Sequence, residues 1–408
     1  MFAVELAGEY DTGIKNFRLT AARLTSKNKG LSLLFSDLPP KWWITLKYVV
    51  FRTVYLSSPK STMGSLTNER DSANVEKAWP LPLRERARSG LFLFNPVLPS
   101  YGKPYLTVEE QLDLLTARGM CMPEDRDQAA NWLRRIGYYR LSGYWYPFRE
   151  RKDGVALETF RSGTNLKHAF DLYVFDKRLR MLMLDAIERI EVGIRVDVAH
   201  ILGSGDPWAH RLQANFNRYF NEADPKDEIV RHTQWLTRLD ELCYRSSEDF
   251  AKRFREKYSG HFPIWIAIEL WDFGTLAYLV DGLQDKDLQK LADKYALPRR
   301  TLLVSWIRSL NFFRNVCAHH GRLWNRPLID QPAIPRDGEI PLLQHCRSHT
   351  RINSRIYAVA SILQYFLKIM SPRSTWGERL KALHSEFPPR LASSGFPDGW
   401  REGELWKA

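Results

Sequence analysis

Cysteine is scarce in this chain: Cys121, Cys243, Cys317 and Cys346 are the only four in 408 residues, and no two are spaced as CxxC. That excludes a dense disulfide framework and a zinc ribbon, and it fits a reducing compartment. Long apolar runs are missing too. The most apolar stretch, PIWIAIELWDFGTLAYLVDGL, is broken by Glu269, Asp272 and Gly274, which argues against a membrane span. The opening MFAVELAGEYDTGIKNFR carries acidic residues and lacks the continuous apolar core of a secretory signal, so a cytoplasmic protein is expected. No glycine-rich loop of the Walker or dinucleotide-binding type occurs, so neither an ATPase nor a dehydrogenase is expected, and no cofactor. Strand-like alternation is also rare, which leaves a mainly α, all-α class of fold.

Acidic residues are fewer than basic ones. With 60 Lys and Arg against 47 Asp and Glu, the formal charge is +13. Such an excess favours a polyanionic partner, nucleic acid or an anionic membrane surface, although a solvated basic face is the plainer alternative. At 44% hydrophobic the chain can bury a sizeable core.

Residues 1–100 read as an N-terminal extension of uncertain structure. Short apolar pieces such as KWWITLKYVVFRTVYL alternate there with LSSPKSTMGSLTNERDSANVEK, which has the composition of a loop or disordered linker. A true start downstream, for instance at Met63, would leave the leading segment outside the functional protein. Residues 101–408 read as one helical domain. In KPYLTVEEQLDLLTARG, Thr107 and Glu110 form a capping box and Gly119 closes the helix. AANWLRRIGYYRLSGYWYPF follows, with an aromatic density that suits a packed core better than a base-stacking surface. The spacing of Leu172, Phe175, Leu179, Leu182, Ala186, Ile190, Ile194 and Val198 predicts a long helix over 166–202, stopped by Gly203. Further helices are expected at 229–258, 262–283, 285–296, 298–320 and 350–371, with 327–341 as a loop.

The stretch RNVCAHHGRLWNR at 314–326 carries the most chemistry. An Arg followed five positions later by a His is not specific, since Arg195 with His200 and Arg379 with His384 share the spacing. Context distinguishes this one. Leu303, Trp306, Ile307, Leu310, Phe313 and Cys317 make one apolar helical face, while Arg308, Asn311, Arg314, Asn315 and His319 make a separate polar stripe. Gly321 is placed to end the helix, leaving the histidines at its accessible C-terminal end. That arrangement suits phosphodiester chemistry on RNA. A neutral imidazole accepts the 2′-hydroxyl proton, and an arginine fork holds the phosphate oxygens as charge develops. A helix C-terminus in turn favours a protonated imidazole. The alternative is that both histidines only satisfy the last helical carbonyls.

RNVCAHHGRLWNR resembles the signature of the Abi-like (AbiD/AbiF) abortive-infection proteins of the HEPN superfamily. KPYLTVEEQL, IGYYRLSGYWYPF, LYVFDKRLRMLMLDAIERIEVGIR, PIWIAIELWDFGTL and GFPDGWREGELW look like further blocks of that family in their usual order, from about Lys103 to Trp406. The resemblance implies an HEPN-type helical bundle with additional helices. It also implies a metal-independent endoribonuclease that leaves 2′,3′-cyclic phosphate and 5′-hydroxyl ends, and that does not cut DNA, which lacks the attacking hydroxyl. By position, Arg314 is the phosphate clamp, Asn315 orients the imidazole or the phosphate, and His319 is the general base or acid. His320, Arg322 and Asn325 continue the signature as substrate-binding candidates beside Arg308 and Asn311, although His320 fits a helix cap equally well. Further implications are a homodimer with a composite site, a bacterial cytoplasmic location, a phage-derived trigger and, as a partner, RNA. A non-catalytic RNA-binding module, or a toxin component held by a small noncoding RNA regulator, is the alternative. A nucleotide-binding or nucleotide-transferring protein is a third.

Other constellations are expected to be structural. Arg195 and His200 lie among Glu188, Arg189 and Glu191, where salt bridges are the expected role. Arg379 and His384 read as a solvated helix face. Cys317, His319, His345, Cys346 and His349 are zinc-ligand types, but residues 317 and 319 diverge on a helix, so no metal is expected.

Overall fold

In the computed structural model of the chain, the structure describes residues 102–258, 261–347, 354–387 and 394–407. The expected extension over 1–100 and His349 lie outside them. Among the described residues the protein is mainly α, as the scarcity of alternating patterns predicted. The principal helices are α1 (Val108–Ala117), α2 (Arg126–Ile136), α3 (Tyr138–Trp145), α4 (Leu166–Gly203), α5 (Arg231–Arg245), α6 (Asp249–Lys257), α7 (Phe273–Gly282), α8 (Asp285–Lys294), α9 (Arg300–Ala318), α10 (Ile356–Met370) and α11 (Trp376–Glu386). No helix among the described residues is long and apolar enough to cross a membrane.

The α4 helix is the spine. At 1.5 Å per residue its 38 residues run about 57 Å, and α3, α8, α9, α10 and α11 all pack on it. Seven of the eight positions read as its apolar stripe are buried, with Leu182 partly buried against the same core. The helix starts at Asn165, whose side chain accepts from the Lys167 N–H at 2.8 Å while its own N–H donates to the His168 ring. The α1 start carries the expected capping box, with the Glu110 carboxylate 2.7 Å from the Thr107 N–H.

Boundaries differ where short polar or prolyl segments intervene. The span 229–258 divides into α5 and α6, because Ser246, Ser247 and Glu248 break the apolar period between them. The span 262–283 divides into a short helical turn, Ile264–Ala267, and α7, which Asp272 starts by accepting from the Thr275 N–H at 2.7 Å. A two-stranded hairpin, β1 (Arg149–Lys152) with β2 (Val155–Phe160), was not expected. Its signal is the Asp-Gly pair in RKDGVALETF. Asp153 and Gly154 both take positive φ (52° and 81°), the backbone that a two-residue hairpin turn demands and that this dipeptide favours.

Candidate active site

Helix α9 carries the candidate residues to one end. Leu302, Leu303, Trp306, Ile307, Leu310 and Phe313 are buried, which fixes the helix against α4, α7, α8 and α10 and turns the opposite stripe outward. Two side chains then tether the following segment alongside: Trp306 Nε1 donates to the Ala333 carbonyl at 2.8 Å, and Ser309 Oγ to that of Asp330 at 2.6 Å.

The helix stops differently from the expectation. It ends at Ala318 with His319 as its cap, and the left-handed residue is His320, at φ 56°, instead of Gly321. The His320 N–H donates to the Cys317 carbonyl (3.1 Å) and the Gly321 N–H to the Val316 carbonyl (2.8 Å), the pair of bonds that closes a Schellman turn. A side-chain-bearing residue pays steric strain there that glycine would not. The consequence is that His319 and His320 both stand exposed at the helix end.

Arg314 and Asn315 lie on the last turn, half-buried, with Arg314 Nη1 3.2 Å from Asn315 Oδ1. No carboxylate lies within ion-pair distance of Arg314 among the described residues. Its charge is therefore oriented by a neutral amide and not cancelled. Arg308, two turns earlier, differs, because its guanidinium is paired with Asp281. Arg308 and Asn311 sit roughly 16 and 12 Å along the axis from His319 at 1.5 Å per residue, so the structure sets them apart from the helix end. Asn311 packs near Gly274 and Asp272, with its Oδ1 buried and unpartnered among the described residues.

The loop after the helix is held by residues that the motif alone did not reveal. Asp176 on α4 is fully buried, and its Oδ1 accepts from the Leu323 N–H (3.0 Å) and the Trp324 N–H (2.7 Å). Its Oδ2 accepts from the Tyr144 hydroxyl at 2.6 Å and pairs with Arg180, which also donates to the Gly321 carbonyl at 3.3 Å. Burial pushes the Asp176 carboxyl upward, while Tyr144, Arg180 and the two N–H groups pull it back. Burial beside that carboxylate also raises the Tyr144 phenol well above its ordinary value, so it stays a donor. From α3, Arg140 Nη1 donates to the His320 carbonyl at 2.8 Å. Arg322 in turn donates to the Gly143 carbonyl, and a Cβ at residue 143 would fall 2.7 Å from the arginine nitrogen, so a larger residue there would push the guanidinium aside. Asn325, half-buried, has its carbonyl held by Arg355 at 2.9 Å.

The other constellations resolve individually. Arg195 is buried, paired with Glu191, and donates to the carbonyls of Ile268 (2.7 Å), Glu269 (3.2 Å) and Trp271 (2.7 Å), whereas His200 is exposed. Its role is to pin a turn, in line with the expected salt bridge. Arg379 does lie at the surface, paired with Asp185, but His384 is fully buried against Phe175, Phe396 and Trp400, which corrects the expectation of a solvated face. Burial lowers its pKa to about 4. Cys317 is buried beneath the exposed His319, and burial raises its thiol to about 12, so it offers no thiolate. The aromatic block is mixed: Tyr144, Trp145 and Phe148 are core, while Tyr139 is 91% exposed.

Residues 131–325 match the sequence model of the Abi-like protein family. The matched segment contains Arg140, Tyr144, Asp176 and Arg180 as well as the whole of α9, so it includes both the candidate residues and the groups that hold their loop. It ends at Asn325. No curated protein and no solved structure matches the chain significantly.

Proposed function

We propose that the protein acts in abortive infection as a metal-independent HEPN-type endoribonuclease. The Abi-like match supports the abortive-infection part. One observation carries the chemistry: an arginine without a carboxylate partner among the described residues, an amide that orients it and an exposed histidine share a single helix end.

In this reading His319 takes the proton of a ribose 2′-hydroxyl. The freed oxygen forms a bond to phosphorus, and the bond from phosphorus to the 5′-oxygen breaks. Arg314 stabilises the charge on the non-bridging oxygens, and Asn315 fixes the guanidinium. The products are a 2′,3′-cyclic phosphate and a 5′-hydroxyl, and the leaving oxygen needs a proton from a second acid. An imidazole that has just accepted a proton on one side of the phosphate is poorly placed to deliver it on the other. A homodimer supplies the missing group, with the second copy's histidine protonated while the first is neutral.

The test is incubation of purified protein with labelled RNA in excess EDTA, followed by analysis of product ends. Cyclic-phosphate ends from the wild type, lost in Arg314→Ala and His319→Ala, are expected. Equal cleavage by all three proteins would remove the helix end from the chemistry. Light scattering that returned a fully active monomer would sink the composite site. A non-catalytic RNA-binding module, held by or holding a noncoding RNA, is the second reading, favoured by the net charge of +13 and the exposed Tyr139. It predicts binding without new ends.

A further inference from the structure

A cleft of about 470 Å³ opens beside the motif loop, lined by Pro147, Phe148, Arg161, Thr164, His168 and Trp324 among others. Its size lies within the usual range for a bound small organic group, roughly 300–1,000 Å³. The walls come from three places: the α3–β1 junction, the turn between β2 and α4, and the motif loop, where Trp324 follows His319 by five positions.

The polar lining is rich in donors. Trp324 is 1% exposed, and its Nε1–H is buried without a partner among the described residues. His168 Nδ1 accepts from the Asn165 N–H at 3.3 Å, which leaves Nε2 as the ring's donor toward an occupant. Arg161 is held over the cleft by bonds to the carbonyls of Pro147 (2.6 Å) and Phe148 (3.4 Å), which fix its charge without cancelling it. No carboxylate lines the cleft among the described residues. Phe148 and Trp324, both almost fully buried, are the apolar part of the lining. The chemistry called for is rich in acceptors and negatively charged, as in a nucleoside phosphate.

The surroundings favour a strand over a free nucleotide. Tyr146, next in sequence to the lining residue Pro147, is 46% exposed with the guanidiniums of Arg149 and Arg151 5.7 and 6.0 Å from its ring centre. Exposed Tyr139 precedes Arg140, whose guanidinium grips the His320 carbonyl. Cations interleaved with exposed aromatic rings are the groups that hold the phosphates and bases of single-stranded RNA.

We propose that this cleft seats one nucleotide of the RNA strand whose phosphate is presented to His319, and thereby selects where the strand is cut. The proposal rests on the ribonuclease reading for its consequence, not for its occupant. It is tested with the full chain carrying His319→Ala, using fluorescence anisotropy of labelled single-stranded RNA. Two variants are added: Ser162→Trp, which fills the cleft from an exposed loop, and Arg161→Glu, which reverses the charge at its rim.

Each is expected to weaken RNA binding on the order of tenfold; Ser162→Trp should leave the melting temperature unchanged, while Arg161→Glu also loses the bonds to the Pro147 and Phe148 carbonyls. In the otherwise wild-type chain, both are expected to raise KM and shift the cleavage positions. Uridine and guanosine monophosphates should compete only at far higher concentration than the oligonucleotide. Binding of both variants equal to the parent's would overturn the cleft as an RNA site. Monophosphates binding as tightly as the oligonucleotide would make it a free-nucleotide site instead. Cleavage that ignores the cleft variants refutes this proposal alone, whereas cleft-dependent binding without any cleavage refutes the ribonuclease reading alone.

Discussion

Replacing Asp176 should unfasten the motif loop without touching the motif. The carboxylate is fully buried, with Arg180, the Tyr144 hydroxyl and the N–H groups of Leu323 and Trp324 around it. Asp176→Ala leaves the guanidinium of Arg180, itself 5% exposed, without its counter-charge, a change that costs about 3–5 kcal/mol in buried pairs. The orphaned N–H groups each add about 1–3 kcal/mol, although the losses overlap because they share one acceptor. A total near 5 kcal/mol, at roughly 2 °C per kcal/mol for a domain of this size, predicts a fall in melting temperature of about 10 °C. Asp176→Asn keeps the shape but not the charge and should lose more than half as much. The pair Asp176→Leu with Arg180→Met removes both charges and should be more stable than Asp176→Ala alone. Thermal unfolding monitored by circular dichroism measures all of these. A shift under about 2 °C for Asp176→Ala would refute the claim that this carboxylate holds the loop, since even one orphaned buried N–H should cost that much.

Three further outcomes follow from the same kind of reasoning. His320→Gly should raise the melting temperature by about 1–2 °C, because glycine adopts the left-handed turn at no steric cost; an unchanged or lower value would show that the turn stores no strain, and RNA cleavage by the same variant reports separately whether the imidazole touches substrate. Arg195→Met should cost about 3–5 kcal/mol by stranding Glu191 and three carbonyls, while the folded fraction keeps its cleavage rate per molecule; a stable but inactive variant would return Arg195 to the chemistry. The pKa of His384, lowered by burial from 6.5 to about 4, implies that the unfolded chain takes the proton first on acidification. Stability is then whole above about pH 6.5 and falls by up to about 3 kcal/mol as the pH drops toward 4. His210, buried and lowered to about 3, acts in the same direction. Melts across that range should flatten in His384→Phe, and an unaltered pH profile would contradict the assignment.

What the sequence revealed depended on how far apart the interacting residues lie. Periodicity is a local property, so the apolar stripe of α4 and the polar stripe of α9 were both legible, as was the capping box at Thr107. The hairpin is also local, and Asp153-Gly154 marks it plainly, but its strands RERK and VALETF bury too few residues to show an alternating apolar face. The burial of His384 is hidden for a related reason. Its helix neighbours are polar, and nothing within GERLKALHSEF announces that Phe396 and Trp400 return to cover it.

The support of the candidate site was out of reach in a stronger sense. Asp176 and Trp324 are separated by 148 positions, and an Asp four residues before an Arg reads as an ordinary exposed helix pair. Only burial changes its meaning. An i,i+4 pair at the surface contributes a few tenths of a kcal/mol, whereas the same pair, sealed under Tyr144 and turned toward two backbone N–H groups, decides where the chain after α9 can run. The exposed motif is therefore written in adjacent letters and its foundation in distant ones. That arrangement is what a site at a helix end requires: the last carbonyls of a helix fix direction for only one turn, so the loop beyond must be held from another element, here α3 and α4.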